Sequence, residues 1–192
     1  MDKLSALNNI LAGIGVRPVT TYESPHPDAI IARQHLKRFN SEIQSRGWWV
    51  NKDLDVTLAP SPVDSRILLP SNTLVVNPID VRDRYVQRGN YLYNTEDNTF
   101  VFAGDVRVNL VVELPFEDLP EALQVYITRA ATLEFAVVRE GDQNKIAAMD
   151  RLLLSSRSQA ISDELRNGNY NANTNSTSQR ILAGFRPAVR RY

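Results

Sequence analysis

DLPEALQVYITRAATLEFAVV, residues 118–138, is the stretch on which the fold turns. Leu119, Leu123, Tyr126, Ala130, Leu133 and Val137 recur at steps of three and four, which lays them along one side of a helix. Val125, Ile127, Phe135 and Val138 widen that stripe. A helix apolar on most sides belongs in the middle of a helical body or against a neighbouring subunit. Asp118 followed three residues later by Glu121 reads as a capping box, with Pro120 in the tolerant first turn.

Outward from this helix, Gly141-Asp142 opens a fourth one, with Ile146, Met149, Leu153 and Ala160 on one face and Leu154, Ile161 and Leu165 beside it. At the other end of the chain, Leu4, Leu7, Leu11 and Ile14 form one face of a short helix that Gly15 is placed to end. Pro27 suits the first turn of a second helix, whose stripe is Ala29, Ala32, Leu36, Phe39 and Ile43 and whose end is marked by Gly47. Between residues 48 and 114 the helical period disappears. Short β-prone runs take its place at 48–50, 56–58, 67–69, 73–76, 85–86, 91–93, 100–102 and 106–114, separated by Pro60, Pro62, Pro70, Pro78, Gly89-Asn90 and Gly104-Asp105. Val106, Val108, Leu110 and Val112 alternate as in a half-buried strand. About five to seven antiparallel strands, as a sheet or sandwich, fit this spacing.

The expected fold class is therefore α+β. Residues 1–47 and 115–168 make two helical hairpins packed as a four-helix bundle, and residues 48–114 are an inserted small antiparallel β-rich module. Residues 169–192 are a flexible linker and a basic C-terminal arm. The linker carries Asn169, Asn171, Asn173 and Asn175 in alternation with small or polar residues, a composition that cannot bury enough apolar surface to offset its ordering entropy. The arm mixes Arg180, Arg186, Arg190 and Arg191 with Ile181, Leu182, Phe185 and Val189 and ends on Tyr192, with no acid. A tethered segment of this kind docks on a partner. Its interleaved aliphatic anchors favour protein over nucleic acid.

Composition narrows the function. The 192 residues are 43% hydrophobic and 23% charged, with 22 basic and 22 acidic residues, so no strong overall field draws the chain to nucleic acid or an anionic membrane. Cysteine is absent, which removes disulfides, thiolate metal sites and cysteine nucleophiles. The start lacks the basic residues and long apolar run of a signal peptide, and no stretch approaches a membrane span, which leads us to expect a soluble protein made in the cytoplasm. The two histidines, His26 and His35, do not stand at metal-ligand spacing, and neither a phosphate-binding glycine loop nor a GxSxG elbow occurs. No catalytic residue, cofactor or metal is expected. Glu113, Glu117, Asp118, Glu121, Glu134, Glu140 and Asp142 cluster in sequence, but they suit helix starts and polar faces. Trp48 and Trp49 suit core packing and a sheet or subunit contact.

Several segments, in order, resemble the tail tubular protein A family, adaptor proteins of short-tailed podovirus phages. LSALNNILAGIGVRPV at 4–19 resembles the family's opening, and IQSRGW at 43–48 the end of its second helix. YVQRGNYLYN at 85–94 resembles its β-hairpin, and EDLP at 117–120 followed by Tyr126-Ile127 the start of its third helix. The resemblance spans residues 4–167 and does not reach the arm.

It implies a structural virion protein of the tail, a homo-oligomer forming a twelve-subunit ring (a dodecamer). The ring would act as head-tail connector between the portal protein and the tail nozzle protein, tail tubular protein B. It would close the portal after packaging, continue the DNA channel used in genome ejection, and lie near the tail fibres. Genomic DNA would pass through the lumen without sequence-specific binding, and no membrane is involved. On this reading Leu123, Tyr126, Leu133 and Val137 are candidates for ring packing. Arg180, Ile181, Leu182, Phe185, Arg186, Arg190, Arg191 and Tyr192 are candidates for docking on the portal. The alternative is a tail-associated polysaccharide or peptidoglycan hydrolase, for which Glu134 and Asp142 are the carboxylates to test.

Overall fold

The computed structural model describes residues 1–80, 83–139 and 142–168. The linker and the arm, with all eight portal-docking candidates, lie outside the described residues.

Two helices come first. α1 (Lys3–Gly13) starts at Asp2, whose carboxylate accepts the Ser5 N–H at 2.7 Å, and α2 (Pro27–Gln44) starts with its proline in the first turn, as expected. Five strands follow: β1 (Lys52–Leu58), β2 (Thr73–Pro78), β3 (Tyr85–Arg88), β4 (Tyr91–Asn94) and β5 (Val106–Val112). Two long helices, α3 (Glu121–Arg139) and α4 (Gln143–Asn167), complete the described chain.

The chain is mixed α+β. The helices are organised around α3, which packs against α1, α2 and α4. Ile127, Ala131, Phe135 and Ala136 on α3 are fully buried, as are Leu7, Ile10 and Leu11 on α1 and Ala29 and Ala32 on α2. Gly13 permits the close approach of α1: a Cβ added there would collide with the Thr132 methyl group of α3. The loop leaving α1 is fixed by Asn8, which accepts the Val19 N–H at 2.8 Å and donates to the Val19 carbonyl at 3.0 Å. That pair joins the two ends of the 4–19 motif.

α3 departs from its expected start. Residues Phe116–Asp118 form a 3-10 turn, and Leu119, which precedes a proline, is extended, as the steric demand of the Pro120 ring requires. Asp118 therefore lies in the turn and does not cap the helix. The Pro120 carbonyl accepts from Leu123 and Gln124 at 3.0 and 3.1 Å, so the helical bonds begin there. α4 starts as read, with the Asp142 carboxylate accepting from Asn144 and Lys145.

The five strands, within the expected number, form a three-stranded antiparallel sheet in the order β1-β5-β2 and a two-stranded hairpin, β3-β4, rather than a single sheet. The run at 48–50 enters a 3-10 turn (Trp49–Asn51), and those at 67–69 and 100–102 make only isolated bridges. β5 is central and alternates as expected over its first five residues, with Val106, Val108 and Leu110 buried, but Val111 and Val112 are both buried where the strand runs back to the helices. Val106, Val108 and Leu110 share a core with Ile67, Leu69 and Phe102 and with Leu92 of the hairpin. Gly89, at φ +62, occupies the first position of the two-residue turn between β3 and β4, a conformation that favours glycine.

The chain leaves and re-enters the helices at one point. Gln44 at the end of α2 donates from Nε2 to the Leu114 carbonyl at 3.0 Å and accepts the Leu114 N–H at 2.8 Å. Asn51, also buried, donates to the Gln44 and Val112 carbonyls at 3.1 and 2.8 Å and accepts the Trp48 N–H at 2.7 Å. α4 is tied to the same corner, where Glu164 accepts the Trp49 N–H at 2.6 Å and pairs with Lys52 at 3.6 Å.

Candidate assembly interface

The carboxylates that a hydrolase would need have structural partners. Glu134 pairs with Arg38, and Asp142 caps α4 through Asn144 N–H at 2.9 Å. Among the described residues no group of three or more His, Asp or Glu side chains is placed to hold a metal ion. No described helix is long and apolar enough to cross a membrane.

His35 is packed between α2 and α3 with its ring 5.7 Å from that of Phe135. Burial lowers its pKa from 6.5, and the Arg38 guanidinium adds to the shift. Glu134 stands 3.8 Å from the imidazole but is engaged by Arg38, so it does not offset the effect of burial. The unfolded chain then binds a proton at His35 more readily than the folded one. Stability from this group is fully present above pH 6.5 and declines as the pH falls below it. Urea midpoints measured between pH 7.5 and 5 should fall less in His35→Gln than in the wild type; equal slopes would show that His35 is not the titrating group.

The four ring-packing candidates separate into two pairs. Leu123 and Tyr126 are 3% and 5% exposed and belong to the core of their own chain, where the Tyr126 ring meets Trp48 edge to face. Buried in this way, they leave almost no surface for a neighbour. Leu133 is half-buried, and Val137 is 56% exposed near the end of α3.

Surface that periodicity alone did not single out lies on α4. Leu154, Ile161 and Leu165 stand at spacings of seven and four, hence on one face, and are 53%, 40% and 62% exposed. Their spacing was legible, but only the fold shows that α3 covers the other side of α4. The hairpin carries a second unforeseen surface. Arg66 stacks over the rings of Tyr91 and Phe100, and Arg88 lies 3.5 Å above the Tyr93 ring.

A cysteine-free protein of helices around α3, small β sheets and exposed apolar helical rows has the form of an assembly subunit. The sequence pattern of the tail tubular protein family matches residues 4–177, and the chain belongs to that family. It is a structural protein of the phage tail. The tail tubular protein A of Klebsiella phage KP34 is 26% identical over 181 residues, which cover 94% of this chain and 96% of that protein.

Proposed function

We propose that the chain is a subunit of the head-to-tail adaptor ring, seated between the portal above and the tail nozzle below, with the DNA channel running through it. The observation that carries this reading is the exposed row Leu154, Ile161 and Leu165 on α4, together with the exposed Val137 and Val138 on α3, in a chain of the tail tubular protein family. A ring closes through heterologous contacts, so an apolar row on a rigid helix suits packing against a different surface of the next copy. The near-zero net charge suits a channel through which DNA slides without being held. The ring number, twelve, and the neighbouring tail fibres follow from the family resemblance.

The test is the mass of the purified protein alone and mixed with portal rings. We expect the wild-type chain to co-sediment with the portal as a ring. Leu154→Glu with Leu165→Glu should abolish ring formation while shifting the unfolding free energy by no more than about 0.5 kcal/mol per site, the usual range for exposed positions. Undiminished ring assembly in the double variant would remove α4 from the interface.

A further inference from the structure

The β3-β4 hairpin and the run at 67–69 beside it are apolar on both faces. Leu92, Ile67 and Leu69 point into the β core. On the other side stand Val86, Leu68 and Val101, which are 39%, 63% and 54% exposed. The pairing puts them on one face with two guanidinium groups. Val86 lies opposite Tyr93, Arg88 and Leu68 lie opposite Tyr91, and Val101 lies opposite Arg66. Stacking of Arg66 over Tyr91 and of Arg88 over Tyr93 fixes the cations and leaves their N–H groups to an acceptor. Asp64 stands 3.9 Å from Arg66, and among the described residues no carboxylate pairs with Arg88. This face therefore suits a carboxylate and an apolar side chain together. It suits nucleic acid poorly, since Tyr93 is only 7% exposed beneath its guanidinium and aliphatic chains stand among the cations.

The same chain carries that combination on β1, an outer strand of the three-stranded sheet, which bulges between Asp53 and Val56. Asp55 in the bulge has φ +57, a conformation that L side chains rarely adopt. It is held there at both ends. Its N–H donates to Asn109 Oδ1 at 2.9 Å, and Arg107 Nε donates to its carboxylate at 2.7 Å. The bulge holds out Leu54, 70% exposed, beside Asp53, an exposed carboxylate without an ion pair among the described residues. Val106, Val108 and Leu110 of β5 point into the core shared with the hairpin, so Arg107 and Asn109, which anchor the bulge, point to the opposite side of the sheet. The anchored bulge and the outer face of the hairpin thus lie on different sides of the β module.

We propose that the bulge of one copy, through Asp53 and Leu54, seats on the Arg66 and Arg88 face of the next copy. Leu54 lies against Leu68 and Val101, and Asp53 meets Arg88. The match is one of charge and of apolar surface: an unpaired acid beside an exposed leucine on one side, an unpaired arginine among exposed aliphatic chains on the other. Two different surfaces on different sides of a subunit join copies head to tail, the arrangement that closes a ring. The inference rests on the ring reading above and adds a contact between neighbours apart from α4.

The test uses the full-length chain, alone and assembled on portal rings, and gains from the absence of native cysteine. Leu54→Cys with Leu68→Cys in one chain should be linked by a short bis-maleimide into a ladder that runs past the dimer, since each copy then bonds to both neighbours. Either substitution alone should give no ladder. Asp53→Arg and Arg88→Asp should each weaken self-association by about tenfold or more, the worth of one close charge pair across an interface. Both in the same chain should restore it, because the reversed pair forms between neighbours, and that rescue separates a lost contact from a damaged fold. Rings that assemble on the portal but give no ladder, or no rescue, would overturn this contact and leave the adaptor reading standing. A wild-type chain that forms no ring either alone or with the portal overturns both.

Discussion

Phe135→Ala should destabilise the protein by about 3–5 kcal/mol, the usual cost of emptying an aromatic site in a packed core. Phe135 is fully buried on α3, the helix against which α1, α2 and α4 all pack. The cavity would open beside His35, whose ring lies 5.7 Å away on α2. For a domain of this size that loss lowers the melting temperature by roughly 6–20 °C. Val138→Ala, three residues along at a largely exposed position, is the control and should change little. Urea unfolding of the two variants beside the wild type decides the matter; a loss under about 1 kcal/mol at Phe135 would mean that α3 is not the centre of the helical core.

Asn51→Ala should cost about 3 kcal/mol or more, given roughly 1–3 kcal/mol for each buried group left without its partner. Asn51 is 1% exposed and serves three backbone groups at once: the Trp48 N–H and the carbonyls of Gln44 and Val112. Truncation takes the side-chain partner from the Trp48 N–H and the Val112 carbonyl and leaves the Gln44 carbonyl with the Gly47 N–H alone, where helix and sheet meet. Asn51→Asp should be worse, since it keeps the acceptor, loses both donors and faces two carbonyls with a buried carboxylate. The reporters are the unfolding midpoint and the exchange rate of the Trp48 amide hydrogen. An unaltered exchange rate in Asn51→Ala would show that water replaces the side chain at no cost.

How far the sequence could be read depends on the range of the interactions involved. α2 was legible because its proline start and its stripe of Ala29, Ala32, Leu36 and Ile43 are local facts, and these residues are buried as read. The β3-β4 hairpin was legible for the same reason, since a two-residue turn closes it. The runs at 67–69 and 100–102 looked equally strand-like. Their pairing depends on partners far along the chain, and each formed only isolated bridges. Ser156, buried on α4, escaped the pattern because its hydroxyl is satisfied by the Leu153 carbonyl at 2.8 Å and so tolerates the core. The interface was the least legible part. Periodicity shows that Leu123, Tyr126, Leu133 and Val137 share a side of α3, but only packing separates those that face their own chain from those that face outward.

The closure of Gln44 onto Leu114 spans 70 residues, and it sets the order of events during synthesis. α1 and α2 leave the ribosome first, carrying Leu7, Ile10, Leu11, Leu36 and Ile43, and their chief apolar partner is α3. At translation speeds of about 5–20 residues per second, the end of α3 arrives roughly 5–20 seconds after that of α2. Through that interval the nascent chain displays a sticky helical pair that nothing within it can cover. Loss of yield to aggregation should thus track how quickly the intervening strands emerge, and a slow codon run within 48–114 should harm production more than the same run placed after α3.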